Sequence, residues 1–100
     1  MTVHAVVLIG CEIDAIPEAA QAIAEIDGVS EVYSVAGEFD LVAVVRVAAH
    51  DDLASVIPGG IAKVPGVATT ETLIAFQVYS KHDLERLFSI GFEENSSGPD

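Results

Sequence analysis

Few side chains in this sequence are placed to do chemistry. Asp40 is the most informative: it ends Gly37-Glu38-Phe39-Asp40 and runs straight into the apolar stretch Leu41-Val42-Ala43-Val44-Val45. An ionised carboxylate against such a stretch needs donors or a cation. Asp40 is therefore either a turn aspartate bonded to nearby backbone N–H groups or a group that holds a ligand. Thr70 and Thr72 stand two apart in an apolar run, which places both hydroxyls on one strand face, although ordinary strand propensity also explains them. His4, His50 and His82 share no metal-ligand spacing. His50 and His82 each precede an aspartate and a leucine where a helix is expected to start, so capping or solvent exposure is their reading, and His4 lies on a strand. Cys11 is the single cysteine, which excludes an internal disulfide and any CxxC or Cys-rich zinc site. No phosphate-binding Gly/Lys pattern, GxGxxG, HExxH or Gly-x-Ser-x-Gly occurs. With sixteen Asp and Glu, pairs such as Asp51-Asp52 and Glu93-Glu94 read as solvated surface. The residues thus assemble no catalytic set, no metal site and no cofactor site.

The chain that must position these groups has 100 residues, the size of one compact domain. Its apolar share of 51% excludes disorder over most of its length. Four Lys and Arg against sixteen Asp and Glu leave a net charge of −12, which repels phosphate backbones and anionic lipid, so neither direct nucleic-acid binding nor membrane binding is expected. No apolar run approaches the ~20 residues of a membrane span, and the N-terminus has no basic signal-like region. A cytoplasmic protein is expected, with the acid excess suited to a salt-rich host.

Val3–Cys11 is β-branched and short, the pattern of a strand buried on both faces. Pro17 suits a first helical turn, and Ala19, Ile23 and Ile26 recur at helical spacing until Asp27-Gly28. Val29–Ala36 and Phe39–Ala48 predict two strands joined at Gly37-Glu38 by a type II′ hairpin turn. Leu53, Val56, Ile57, Ile61 and Val64 mark a second helix interrupted at Pro58-Gly59-Gly60. Val67–Val78 is the fourth strand. A short C-terminal helix is expected over residues 80–92, with Leu84, Leu87, Phe88 and Gly91 on one stripe, followed by a polar, disordered tail over 93–100. Ile23–Val29 aligns with Ile61–Val67 at four of seven positions, an internal repeat of two βαβ halves. The expectation is an α+β, ferredoxin-like βαββαβ domain over 1–79: a four-stranded antiparallel sheet with two helices on one face. Both sides of the third strand are apolar, so the bare sheet face predicts a sheet-to-sheet homodimer.

Gly37-Glu38-Phe39-Asp40 followed by Leu41–Val47 resembles the Gly-x-Tyr/Phe-Asp turn and strand of the effector domain, also called the RAM domain, of Lrp/AsnC-family transcription regulators. Ile61–Val67 and Thr70-Glu71-Thr72 are similar to that domain's second-helix exit and last strand, and the resemblance covers Val3 to Val78. It implies a stand-alone member without the helix-turn-helix domain, in the dimeric α+β barrel arrangement. It also implies dimers assembling into octamers or larger rings, a small amino-acid effector between dimers, and a possible full-length Lrp/AsnC regulator as partner. Carried over by position, the effector site is Gly37, Phe39, Asp40, Val42, Thr70 and Thr72. Asp40 would meet an α-ammonium, backbone N–H groups near Gly37 an α-carboxylate, and Val42 the ligand side chain. The sequence departs from the family where Thr69 replaces a common basic residue and where Gly59-Gly60 loosens the second helix. The expected function is a non-enzymatic, amino-acid-binding oligomerisation module in transcriptional or metabolic regulation.

Two alternatives share this architecture. A small monooxygenase or isomerase on the dimeric α+β barrel would need polar groups converging between helices and sheet. Its candidates His4, Tyr33 and Arg46 are expected to be spread over two faces by strand parity. An ACT-type amino-acid-binding domain has the same strand order but pairs its dimers edge to edge.

Overall fold

A computed structural model describes residues 2–79 and Lys81. The expected C-terminal helix, except Lys81, and the tail from Glu93 lie outside the described residues. The elements are β1 (Val3–Cys11), α1 (Ile16–Ala24), β2 (Val29–Ser34), β3 (Leu41–Val47), α2 (Asp52–Val56) and β4 (Val67–Ile74). The strands form one sheet in the order β2-β3-β1-β4, and every neighbouring pair is antiparallel. This is the ferredoxin-like arrangement that the element order predicts.

Burial follows the two-residue period of the strands. Ala5, Val7 and Ile9 on β1 and Leu41, Ala43 and Val45 on β3 are fully buried. They pack against Ala19 and Ile23 of α1 and against Leu53, Val56, Ile57 and Ile61 from the second helical region. The intervening Val6, Leu8, Val42 and Val44 are only half-buried, so within one chain β1 is covered on a single face, not on both. No polar or charged residue is buried among the described residues.

The internal repeat marks a structural equivalence. Gly28 and Gly66 occupy the same place in the two halves and both adopt positive φ, 99° and 95°. A Cβ on Gly28 would come within 2.8 Å of the Val56 side chain, and one on Gly66 within 2.5 Å of the Ala15 Cβ. Each half therefore returns from its helix to its strand through a left-handed residue in a space too tight for a side chain.

The second helix breaks where proline predicts. α2 spans five residues, and a 3-10 turn over Ile61–Lys63 follows. Pro58 has no N–H to give the Ala54 carbonyl, and the Gly59 N–H takes that place at 3.0 Å. The hairpin departs from expectation. In place of a two-residue turn at Gly37-Glu38, β2 stops at Ser34, β3 begins at Leu41, and the Val35 N–H donates to the Asp40 carbonyl (3.0 Å) around a four-residue loop, 36–39. The cause lies on β1: the Asp40 N–H donates to the Ile9 carbonyl (2.9 Å), so Asp40 is held in line with β1 and the loop widens to reach it. β4 ends at Ile74, four residues short of its expected limit, and one further bond, from the Ala75 N–H to the His4 carbonyl (2.9 Å), continues its line along β1.

Candidate functional site

Asp40 is where the loop meets the sheet. One carboxylate oxygen, Oδ2, accepts the backbone N–H of Cys11 at 2.8 Å, a bond across 29 residues of sequence. Together with its two backbone bonds this fixes Asp40 at the ends of β1 and β3. The turn-aspartate reading holds in kind, since the partner is a backbone N–H, but that N–H comes from another strand. Burial, and secondarily the Asp40 charge, pushes the Cys11 thiol above its ordinary range. Cys11 is half-buried, as a structural strand residue would be.

The expected effector residues divide between two faces. Gly37 is exposed in the loop at a φ of 142°, and Phe39 and Asp40 are half-buried. Val42 pairs with Leu8 and shares its open face. Thr70 and Thr72 pair with Ile9 and Val7, whose side chains enter the core, so both threonines point to the helix side. Thr70 and Asp40 sit at the same end of the sheet with β1 between them, roughly 10 Å apart at ordinary strand spacing. Within one chain Gly37, Phe39 and Asp40 share the loop and its junction with β3, Val42 follows on the open face of β3, and the threonines face the other side of the sheet.

His4, Tyr33 and Arg46 are not split between faces. His4 pairs with Arg46, and Tyr33 pairs with Val42, which in turn pairs with Leu8. All three stand on the open face. Alternation within a strand cannot align one strand with the next; the register does that. The Tyr33 hydroxyl donates to the Glu31 carboxylate, and this bond, with the Glu31 charge, raises the Tyr33 pKa against a smaller opposing effect of Arg46. The convergence of polar groups between helices and sheet that an enzyme on this fold would use is not formed by these residues. Among the described residues no three His, Cys, Asp or Glu side chains gather to hold a metal, and no helix is long and apolar enough to cross a membrane.

Residue-by-residue reading missed a groove of about 520 Å³ between α2 and β4, lined by Leu53, Ala54, Ile57, Pro58, Thr72 and Ile74, with His50 and Asp51 at its rim. The signal for it was Pro58-Gly59-Gly60: a helix cut to five residues cannot cover the last strand. His50 is exposed there and caps through its carbonyl, which accepts the Leu53 N–H at 3.0 Å.

Comparison with known proteins places these features. The family model described as the Lrp/AsnC ligand binding domain matches residues 4–84. An HTH-type transcriptional regulator of Pyrococcus furiosus is 37% identical over 59 residues, which are 59% of this chain and 39% of the regulator, so the chain spans well under half of that relative. The crystal structure of TTHA0845 from Thermus thermophilus superposes with a TM-score of 0.75 at 43% identity, over 79% of this chain and 99% of that one. The feast or famine regulatory protein of M. tuberculosis, complexed with L-methionine, superposes with a TM-score of 0.65 at 31% identity, over 79% of this chain and 54% of that one.

Proposed function

The chain belongs to the Lrp/AsnC ligand-binding domain family, and from that premise we propose that it is a non-enzymatic, amino-acid-responsive module that binds its effector at the Asp40 loop and oligomerises to complete the site. The observation that carries this reading is the fixed position of Asp40 beside an open loop, with one carboxylate oxygen committed to the Cys11 N–H. The other oxygen can take an α-ammonium, and loop N–H groups around Gly37 an α-carboxylate. Phe39 and Val42 contact the ligand side chain. Thr70 and Thr72 reach the same ligand from a neighbouring copy, a reading consistent with the division of the six residues over two faces. L-methionine in the M. tuberculosis relative supports an amino acid as the ligand class.

Dimers form by the open sheet face, whose centre is the apolar patch Val6, Leu8, Val42 and Val44, and dimers assemble further into octamers or larger rings. The module works in the cytoplasm, in transcriptional or metabolic regulation, and co-assembles with full-length regulators of the family. With a net charge of −12 it makes no DNA contact of its own.

Subunit complementation tests the shared site. Asp40→Ala and the double variant Thr70→Val/Thr72→Val each lose saturable amino-acid binding in calorimetric titration. Co-refolded, they regain part of it, because some mixed sites carry both intact halves. Full binding by either variant alone, or no recovery in the mixture, refutes the arrangement.

A further inference from the structure

The groove between α2 and β4 is unfilled by the domain itself. It lies on the helix side of the sheet, yet Ile74 in its wall is 45% exposed. Its walls are aliphatic and it is open along one side, the form that receives the apolar stripe of a helix at i, i+3 and i+4. The chain carries such a stripe at and beyond the end of the family match at residue 84. The T. thermophilus protein aligns over 99% of its own length with 79% of this chain, and β1 begins at Val3, so about twenty residues here exceed that relative at the C-terminal end. Leu84, Leu87, Phe88 and Gly91 fall at i, i+3, i+4 and i+7 in that excess.

We propose that residues 81–92 of one copy seat Leu84, Leu87 and Phe88 in the α2/β4 groove of a second copy. Three observations favour a second copy over the same chain. The Ala75 N–H still donates to the His4 carbonyl (2.9 Å), so the chain continues along the line of β4 past the sheet. Phe76 and Tyr79 beyond it are 101% and 81% exposed, without cover from the described residues of their own subunit. No glycine or proline lies between Ile74 and Gly91 to turn the chain back. Charge does not choose between the two, because Lys81 and Arg86 are balanced by Asp83 and Glu85 within residues 81–92. The groove shares Thr72 with the effector site proposed above, but it lies on the opposite side of the sheet from the open face, so this contact is an assembly step separate from dimerisation through that face.

The test is the mass of ligand-free protein by light scattering, for the full chain and for a chain ending at Tyr79. The T. thermophilus relative, a protein of that extent, shows that such a chain folds. The full chain is expected to form assemblies of roughly twofold or greater mass relative to the truncated one. Full-length Phe88→Asp and full-length Ala54→Arg, the latter at an exposed groove position, each reproduce the truncated mass. Equal masses for all four proteins overturn the proposal. So does a truncated chain that melts lower at unchanged mass, since that places the segment on its own subunit. Failure of amino-acid binding leaves these masses unaffected, so the two readings fail separately.

Discussion

The two faces of the sheet are built from the same kinds of residue but are covered differently. On the helix side, Val7, Ile9, Ala43 and Val45 are fully buried against α1 and the second helical region. On the open side, Val6, Leu8, Val42 and Val44 are as apolar but half-buried, and they are bordered by Glu31, Tyr33, Arg46 and His4. Hydrophobicity alone therefore does not separate the covered face from the open one. What distinguishes them here is the polar border, which the helix side lacks altogether among its buried residues.

Neighbouring positions on β1 give the sharpest contrast. Ile9→Ala empties a fully enclosed site and should cost about 2–5 kcal/mol in denaturant unfolding. Leu8→Ala, one residue away on the other face, should cost distinctly less at low protein concentration and make the melting temperature depend more steeply on concentration. Equal, concentration-independent losses would erase the distinction between the faces. Next in size, Val44→Lys places a charge at the centre of the open patch and should halve the mass in sedimentation while the far-ultraviolet spectrum is kept. An unchanged mass would remove the open face from assembly.

Much of the helix side was legible in the sequence, because period and turn chemistry act locally. The four strands, the break at Pro58 and the Ile23/Ile61 repeat all follow from residues near one another, and the repeat finds its cause in the left-handed glycines Gly28 and Gly66. Gly28→Ala should therefore cost about 1–3 kcal/mol, from a strained φ and contact with Val56. A neutral result would show that the helix-to-strand connection can shift. The open side was less legible because its features depend on register. Strand parity could not place His4, Tyr33 and Arg46 on one face, and the widened loop at Asp40 comes from bonds to β1, about thirty residues earlier. The type and place of Asp40 were readable, but its partner was not.

The smallest effect probes that junction. Burial and the Asp40 charge hold Cys11 as the thiol above its ordinary pKa, so alkylation at pH 8 should be slower than for a free cysteine peptide. Asp40→Asn removes the charge contribution, which should lower the thiol pKa and modestly speed the reaction. The folded state binds the thiol proton more tightly than the unfolded one. This group's contribution to stability is therefore complete below the unfolded pKa of about 8.5 and is lost as pH rises through the higher folded value. A faster rate in the parent than in Asp40→Asn would contradict the electrostatic coupling.

An amino-acid site at the Asp40 loop can be tested by a thermal-shift panel of all common amino acids on the parent chain and Asp40→Ala side by side. A ligand at a hundred times its Kd stabilises the fold by about 2.7 kcal/mol, a readable shift for a domain of this size. The expected result is a shift with one or a few amino acids that disappears in Asp40→Ala while the variant stays folded. A flat panel on well-folded parent protein, or a shift that survives in Asp40→Ala, would contradict it.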